Sequence, residues 1–323
     1  MKIPLVILGL ATAAGVTAAP LGILVPAYFY PNGNSYWNDL SNAATRVPLI
    51  AILNPDSGPG TAQDANYVSA VANLHQARGQ VIAYVHTSYA ARALSQVTND
   101  VSLYLAFYSL DGFFIDEMTD DADTNHLNYY ATLYQYIKSQ NARFTVAGNP
   151  GTGTVEAYLG QPVTDLLMTF EDESTNYPGY VPSGWVTNHL ARQFIHVAYG
   201  LTNATTMSND VNLAITRNAG WIYFTAAVLP NPYDTLPAYW TNEVSLVQAL
   251  NQAMPGTQIK LSGLTNWIPT LSITGAAGVY EIQTASDFAG WTPLQVLYTP
   301  TGTGTVTDLT ASNRAASFYR TQQ

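Results

Sequence analysis

Beyond residue 19, short apolar runs alternate with longer amphipathic stretches as far as about Met254. Eight of the runs read as strands: Gly22 to Tyr30, Val47 to Asn54, Val81 to Thr87, Asp111 to Glu117, Phe144 to Asn149, Asp165 to Glu171, Phe194 to Tyr199 and Gly220 to Thr225. Each is nearly continuous in apolar residues, as in LIAILN, GFFIDE and GWIYFT, which is the pattern of parallel strands buried on both faces. Helical periodicity fills the intervals, for example Ala65 to Arg78, Ala91 to Tyr108, Asn125 to Gln140 and Leu236 to Ala253. Asp64, Thr124 and Thr235 stand where N-caps belong, and Gly79 where a helix should stop. Strand and helix repeated eight times over this length predict an α/β fold, a (β/α)₈ barrel of the TIM type. A doubly wound sheet fits less well, because no GxGxxG follows the first strand and GNPGTG (Gly148 to Gly153) lacks the Lys of a phosphate loop.

Both ends differ from this pattern. After Pro255-Gly256, alternating runs such as IKLSG, TLSIT, VYEIQTA and LQVLYT are separated by Gly, Pro, Asn and Thr. Residues 256–323 therefore read as a small β-sandwich domain with Trp267, Trp291, Phe318 and Tyr319 in its core. At the other end Lys2, an apolar stretch from Pro4 to Leu10 and a small-residue run to Ala19 predict a signal peptide. The expected organisation is a signal peptide at 1–19, a barrel at 20–255 and the sandwich at 256–323. The mature protein is then secreted, extracellular or periplasmic, with no membrane span.

Composition narrows the chemistry. Eleven Lys and Arg against 21 Asp and Glu give a net charge of −10 over 323 residues, which excludes an electrostatic grip on nucleic acid and favours an uncharged or cationic polymer. With no Cys, thiol catalysis, zinc–thiolate sites and disulfides are excluded. The 22 Tyr and 6 Trp supply ring surface of the kind on which the apolar faces of sugars stack.

Chemistry in such a barrel sits at the C-terminal ends of the strands. The polar residues there are Tyr28 and Tyr30 on the first strand, Asn54 on the second, Tyr84, His86 and Thr87 on the third, and Asp116 and Glu117 on the fourth. Asn149 closes the fifth, Glu171 the sixth, His196 and Tyr199 the seventh, and Tyr223 and Thr225 the eighth. Two of the six Glu thus close strands, and Glu173 lies just beyond. Paired carboxylates beside a buried strand split their pKa values, as a glycosidase requires. The alternative is structural: Asp116 capping a helix and Glu117 pairing with Arg92 or Arg46. The acidic run to Asp123 lacks the Gly and terminal Glu of a calcium loop, no His spacing suits a metal, and no GxSxG elbow is present. Neither metal nor organic cofactor is expected.

At these residues the chain resembles the spherulin-4 family of secreted proteins, through GILVPAYFYP (Gly22 to Pro31), VPLIAILNPDSGPG (Val47 to Gly60), YVHTSYAAR (Tyr84 to Arg92), DGFFIDEM (Asp111 to Met118) and TFE (Thr169 to Glu171). The resemblance spans the barrel and not the tail. It implies a (β/α)₈ glycoside hydrolase whose characterised fungal branch cleaves galactosaminogalactan at α-1,4-linked N-acetylgalactosamine. It also implies a groove holding Asp116 and Glu117, faced by the Glu of the sixth strand; of Glu171 and Glu173, Glu171 is preferred because it directly closes the apolar run LLMTF. On that basis Glu117 is expected as acid/base, Glu171 as nucleophile or stabiliser and Asp116 as the orienting group. The strand-end positions themselves supply the expected substrate-binding set: Tyr28, Tyr30, Asn54, Tyr84, His86, Asn149, His196, Tyr199 and Tyr223. A monomer acting on a polysaccharide is expected, with the C-terminal domain serving attachment. The rival expectation is a non-catalytic glycan-binding or cell-coat protein on the same barrel.

Overall fold

The structure of the protein, a computed structural model, describes residues 20–33, 36–161, 163–254, 256–286, 290–314 and 317–322. The segment read as a signal peptide, 1–19, lies outside the described residues. Two compact units emerge: Leu21–Ser183 with Gln193–Ala249, and Gly184–Arg192 with Leu250–Gln323.

The first unit is a closed barrel of eight parallel strands in sequence order. They are β1 (Gly22–Ala27), β2 (Leu49–Leu53), β3 (Gln80–His86), β4 (Gly112–Asp116), β5 (Thr145–Gly148), β6 (Leu166–Glu173), β7 (Phe194–Tyr199) and β8 (Trp221–Phe224). The helices are α1 (Tyr36–Ala44), α2 (Ala65–Gln76), α3 (Leu94–Phe107), α4 (Thr124–Gln140), the single turn α5 (Ala157–Gly160), α6 (Ala204–Thr216) and α7 (Trp240–Ala253). No α-helix lies between β6 and β7, where the described residues form only 3₁₀ turns.

Local chemistry explains the element ends. Asp64 caps α2 by accepting from Asn66 N–H, but α4 is capped by Asp123 rather than Thr124, through Asn125 N–H. Thr235 caps nothing, since α7 begins only at Trp240. The left-handed residue ending α2 is Arg78 (φ 70°), not Gly79. At the N-terminal rim, Asp111 accepts from Val81 N–H at 2.7 Å and Asp165 from Val146 N–H at 2.8 Å, so each carboxylate ties an incoming loop to the start of the neighbouring strand.

Register fixes which side chains look inward, because paired residues of neighbouring strands share a face. Tyr84 pairs with Phe114, Phe114 with Ala147, and Ala147 with Leu166. Met168 pairs with Ile195, Ile195 with Trp221, and Trp221 with Gly22. This inner set continues by twos to the mouth at Tyr28, Asn54, His86, Asp116, Asn149, Tyr199 and Tyr223.

The second unit holds two three-stranded antiparallel sheets. One is formed by β9 (Gln258–Thr265), β10 (Ile268–Thr274) and β13 (Thr303–Thr307), the other by β11 (Gly278–Ala285), β12 (Thr292–Thr299) and β14 (Phe318–Gln322). Leu271, Ile273 and Val306 of one meet Tyr280 and Ile282 of the other, with Tyr319 packed against them. Trp267 departs from the sequence expectation. It occupies a left-handed position (φ 66°) in the β9–β10 turn and is 45% exposed. Trp291 lies beneath Arg320, 4.5 Å from its ring centroid.

Candidate active site

At the centre of the mouth three strands meet through one amide. Asn149, after β5, donates from Nδ2 to Asp116 Oδ1 at 2.8 Å and to Glu171 Oε2 at 2.6 Å. Gly151 N–H donates to Asn149 Oδ1 at 2.8 Å, which fixes the NH₂ end of the amide toward the acids. The two carboxyl oxygens are therefore no further apart than the two bonds laid end to end. That bound on one oxygen pair is of the order of the ~5–5.5 Å that separates the carboxyl groups of a retaining glycosidase.

Both acids are half-buried. Burial raises the pKa of Asp116, opposed by the Glu117 backbone N–H and by the Tyr84 and Asn149 side chains, which bond the ionised form. Burial also raises that of Glu171, Asp116 raises it further, and Tyr233 and Asn149 oppose the shift. Two carboxyls this close favour a state holding one proton between them. Three donors oppose the rise in Asp116, to which the Glu117 charge adds, and two oppose it in Glu171.

Rings wall this pair. Tyr28 stands edge-on to Tyr84 and to Tyr233, with ring centroids 5.7 Å apart in each case. The Tyr233 hydroxyl donates to Glu171 Oε1 at 2.5 Å. Tyr233 lies beyond the strand ends, and its only signal in the sequence is its place in the Pro- and Asn-rich stretch after β8 (PNPYDTLP).

Glu117 follows Asp116 but lies apart from the pair. Plain alternation would send it to the outer face; instead it adopts φ 52°, which turns its carboxylate back to 3.4 Å from His86 Nδ1. This sparsely populated conformation is held from two sides, since Glu117 O accepts from Tyr89 N–H at 2.7 Å and Met118 N–H donates to Asn149 O at 2.9 Å. The Glu117 side chain is 40% exposed, and it forms the rim while Asp116 forms the floor. Neither expected arginine partners it: Arg92 pairs with Asp100 and Arg46 bonds Gln248 and Ser245.

The remaining sequence candidates divide. Asn54 faces inward and accepts from Gly58 N–H at 3.0 Å, shaping its own loop. Tyr199 lies at the rim, in register with Glu173, which is exposed one inward step beyond Glu171. Tyr223 faces inward but is fully buried, and its ring supports that of Tyr233 at 6.4 Å. Tyr30 lies beyond β1, 47% exposed, its hydroxyl donating to Asp64 Oδ2 at 2.8 Å. His196 is a correction. It pairs with Phe170 on the outer face of β7, is 0% exposed, and cannot contact a ligand in the mouth.

The described residues hold no group of three or more His, Asp and Glu arranged around a metal ion. The acidic run is spent locally, as Asp121 meets His126 at 2.9 Å and Asp123 caps α4. Among the described residues no helix is long and apolar enough to cross a membrane.

The profile of the spherulation-specific family 4, Spherulin4, matches residues 22–247. Spherulin-4 of Physarum polycephalum is 34% identical over 247 residues, covering 73% of this chain and 72% of that protein. Among solved structures, Aspergillus clavatus Sph3 in complex with GalNAc superposes with a TM-score of 0.63 at 22% identity, covering 71% of this chain and 98% of that one, which is a likeness of fold. The barrel, its eight strands and the segment carrying the acid pair all fall inside the matched region, and the chain belongs to the spherulation-specific family 4.

Proposed function

We propose that this protein is a secreted glycoside hydrolase that cuts within an amino-sugar polysaccharide, at α-1,4-linked N-acetylgalactosamine or galactosamine. The observation that carries the proposal is the sharing of Asn149 Nδ2 between Asp116 and Glu171. A binding protein gains nothing from holding two raised carboxyls on one amide, whereas acid-assisted displacement at an anomeric carbon needs them close together. The choice of sugar draws support from the GalNAc bound to Sph3, and from tyrosine rings beside carboxylates and an amide, which suit a pyranose face and its hydroxyls.

The geometry favours a different division of labour from the one expected of the sequence. Ionised Asp116 attacks the anomeric carbon while protonated Glu171 gives its proton to the departing glycosidic oxygen. Glu171, now a carboxylate, then takes a proton from water as the water oxygen displaces Asp116 from that carbon, so configuration is retained. Glu117 and His86 hold a substituent of the sugar at the rim.

The test is release of new reducing ends from an α-1,4-galactosaminan and its N-acetylated form, with product anomers followed by NMR. Release with retention, abolished in Asp116→Asn and Glu171→Gln proteins that remain folded, is the expected result. Binding without release by the unaltered protein across amino-sugar polymers overturns the hydrolase and leaves a glycan-binding protein.

A further inference from the structure

β6 contains one residue more than β7 matches. Met168 pairs with Ile195 and Phe170 with His196, leaving Thr169 unmatched between them. A one-residue bulge reverses the in–out alternation of everything after it. Leu166 and Met168 both face into the barrel, through their pairing with Ala147 and Ile195. Plain alternation would then point Phe170 inward and Glu171 toward the outer layer. With the extra residue Phe170 goes outward, 4.6 Å from Tyr177 and 4.9 Å from Tyr180 between ring centroids, and Glu171 enters the mouth.

The bulged residue is clamped from outside the barrel. Thr169 Oγ1 lies 3.1 Å from His196 Nε2, and Thr169 O accepts from the Tyr180 hydroxyl at 3.0 Å. His196 Nδ1 is 2.8 Å from the Tyr177 hydroxyl. Arg217 donates to Tyr177 O at 2.7 Å and stacks on the Tyr177 ring at 4.7 Å. Burial, with the Arg217 charge beside it, pushes the His196 pKa down to about 3, so its imidazole stays neutral at neutral pH.

We propose that the Thr169 bulge, gripped by His196 and Tyr180, is the device that aims Glu171 at Asp116, with His196 a positioning residue that never touches substrate. The kinetic half of this proposal rests on the hydrolase reading, while the structural half does not.

The test compares Thr169→Val, which keeps shape but removes the hydroxyl, with Thr169→Ser, which restores it, and with Tyr180→Phe. Crystal structures, melting temperatures and kinetics on a defined oligosaccharide are the measurements. Thr169→Val is expected to lower kcat by about tenfold or more with KM within about twofold, the signature of a misplaced catalytic group. Its crystal structure should show Glu171 displaced from Asn149, and Thr169→Ser should recover most of the rate. Tyr180→Phe should follow Thr169→Val in direction. Wild-type kcat in Thr169→Val with Glu171 in place overturns the proposal. A melting-temperature drop shared equally by Val and Ser, with no kcat-specific loss, also overturns it and leaves the bulge a packing feature. Should the unaltered protein hydrolyse nothing, the hydrolase reading fails by itself, and the position of Glu171 in the Thr169→Val crystal structure still decides the bulge.

Discussion

Tyr233 reaches Glu171 from the opposite side to Asn149, so the carboxylate is held at both oxygens, by a hydroxyl at 2.5 Å and an amide at 2.6 Å. A hydroxyl donating to a carboxylate stabilises its ionised form and restrains the rise in pKa that burial causes. Removing it in Tyr233→Phe lets the Glu171 pKa climb further. If Glu171 is the acid, the alkaline limb of the kcat/KM profile moves to higher pH. The loss of orientation costs about tenfold or more in kcat. A pH–rate profile of the two proteins checks this, and an unmoved alkaline limb would remove Glu171 from the acid role.

Glu117 and Glu171 separate by a leaving-group test. An acid/base substitution slows cleavage of poor leaving groups far more than of activated aryl glycosides, which depart without a proton. Glu171→Gln should therefore lose several orders of magnitude on the polysaccharide and recover much of that on an aryl glycoside. Glu117→Gln, at the rim beside His86, should lose roughly tenfold on both, mainly through KM. The reverse pattern would return the proton transfer to Glu117.

These assignments show what the sequence could carry. The eight strands and the Asp116, Asn149 and Glu171 positions follow from apolar runs closed by a polar residue, because burial on both faces leaves only the strand end free for chemistry. Three features escape that logic. Thr169 is an ordinary strand residue in type, and its status as an extra residue appears only against β7. The left-handed backbone of Glu117 leaves no mark in composition. Tyr233 comes from a long connection whose path is set by tertiary packing. His196 escapes it for a related reason: adjacency to an inward residue reads in sequence as membership of the site, whereas the pleat sends it outward.

Glu243 lies on α7, fully buried, and accepts from Phe224 N–H at 3.1 Å. Burial raises its pKa from 4.5 to about 8. A raised carboxyl pKa in the folded state contributes stability that is complete below the unfolded value and is lost as pH rises from there through about 8. The loss approaches ~1.4 kcal/mol per pH unit within that window and totals a few kcal/mol. His196 acts with the opposite sign: its lowered pKa contributes stability present above 6.5 and lost as pH falls toward about 3. Urea unfolding at pH 5 and pH 9 should show Glu243→Gln, which keeps the acceptor without the charge, losing less stability at pH 9 than the unaltered protein. Equal losses would place the alkaline sensitivity elsewhere.

Gly112 opens β4 in register with Thr145 of β5. A Cβ at this position would stand 1.9 Å from Thr145 O, a backbone atom that no side-chain rotation can move. Gly112→Ala must push β4 away from β5, and the penalty should be about 2–4 kcal/mol, with a fall in melting temperature of roughly 5–15 °C. Gly153→Ala is the control, since a Cβ there meets nothing within 4 Å and its backbone is not left-handed. The displacement should also reach the chemistry, because the same strand pair that starts at Gly112 and Thr145 ends at Asp116 and Asn149. Activity in Gly112→Ala should therefore fall even at temperatures where it stays folded. A variant with unchanged stability and activity would mean that β4 and β5 do not meet in this register, and the Asp116–Asn149 contact on which the acid pair depends would go with it.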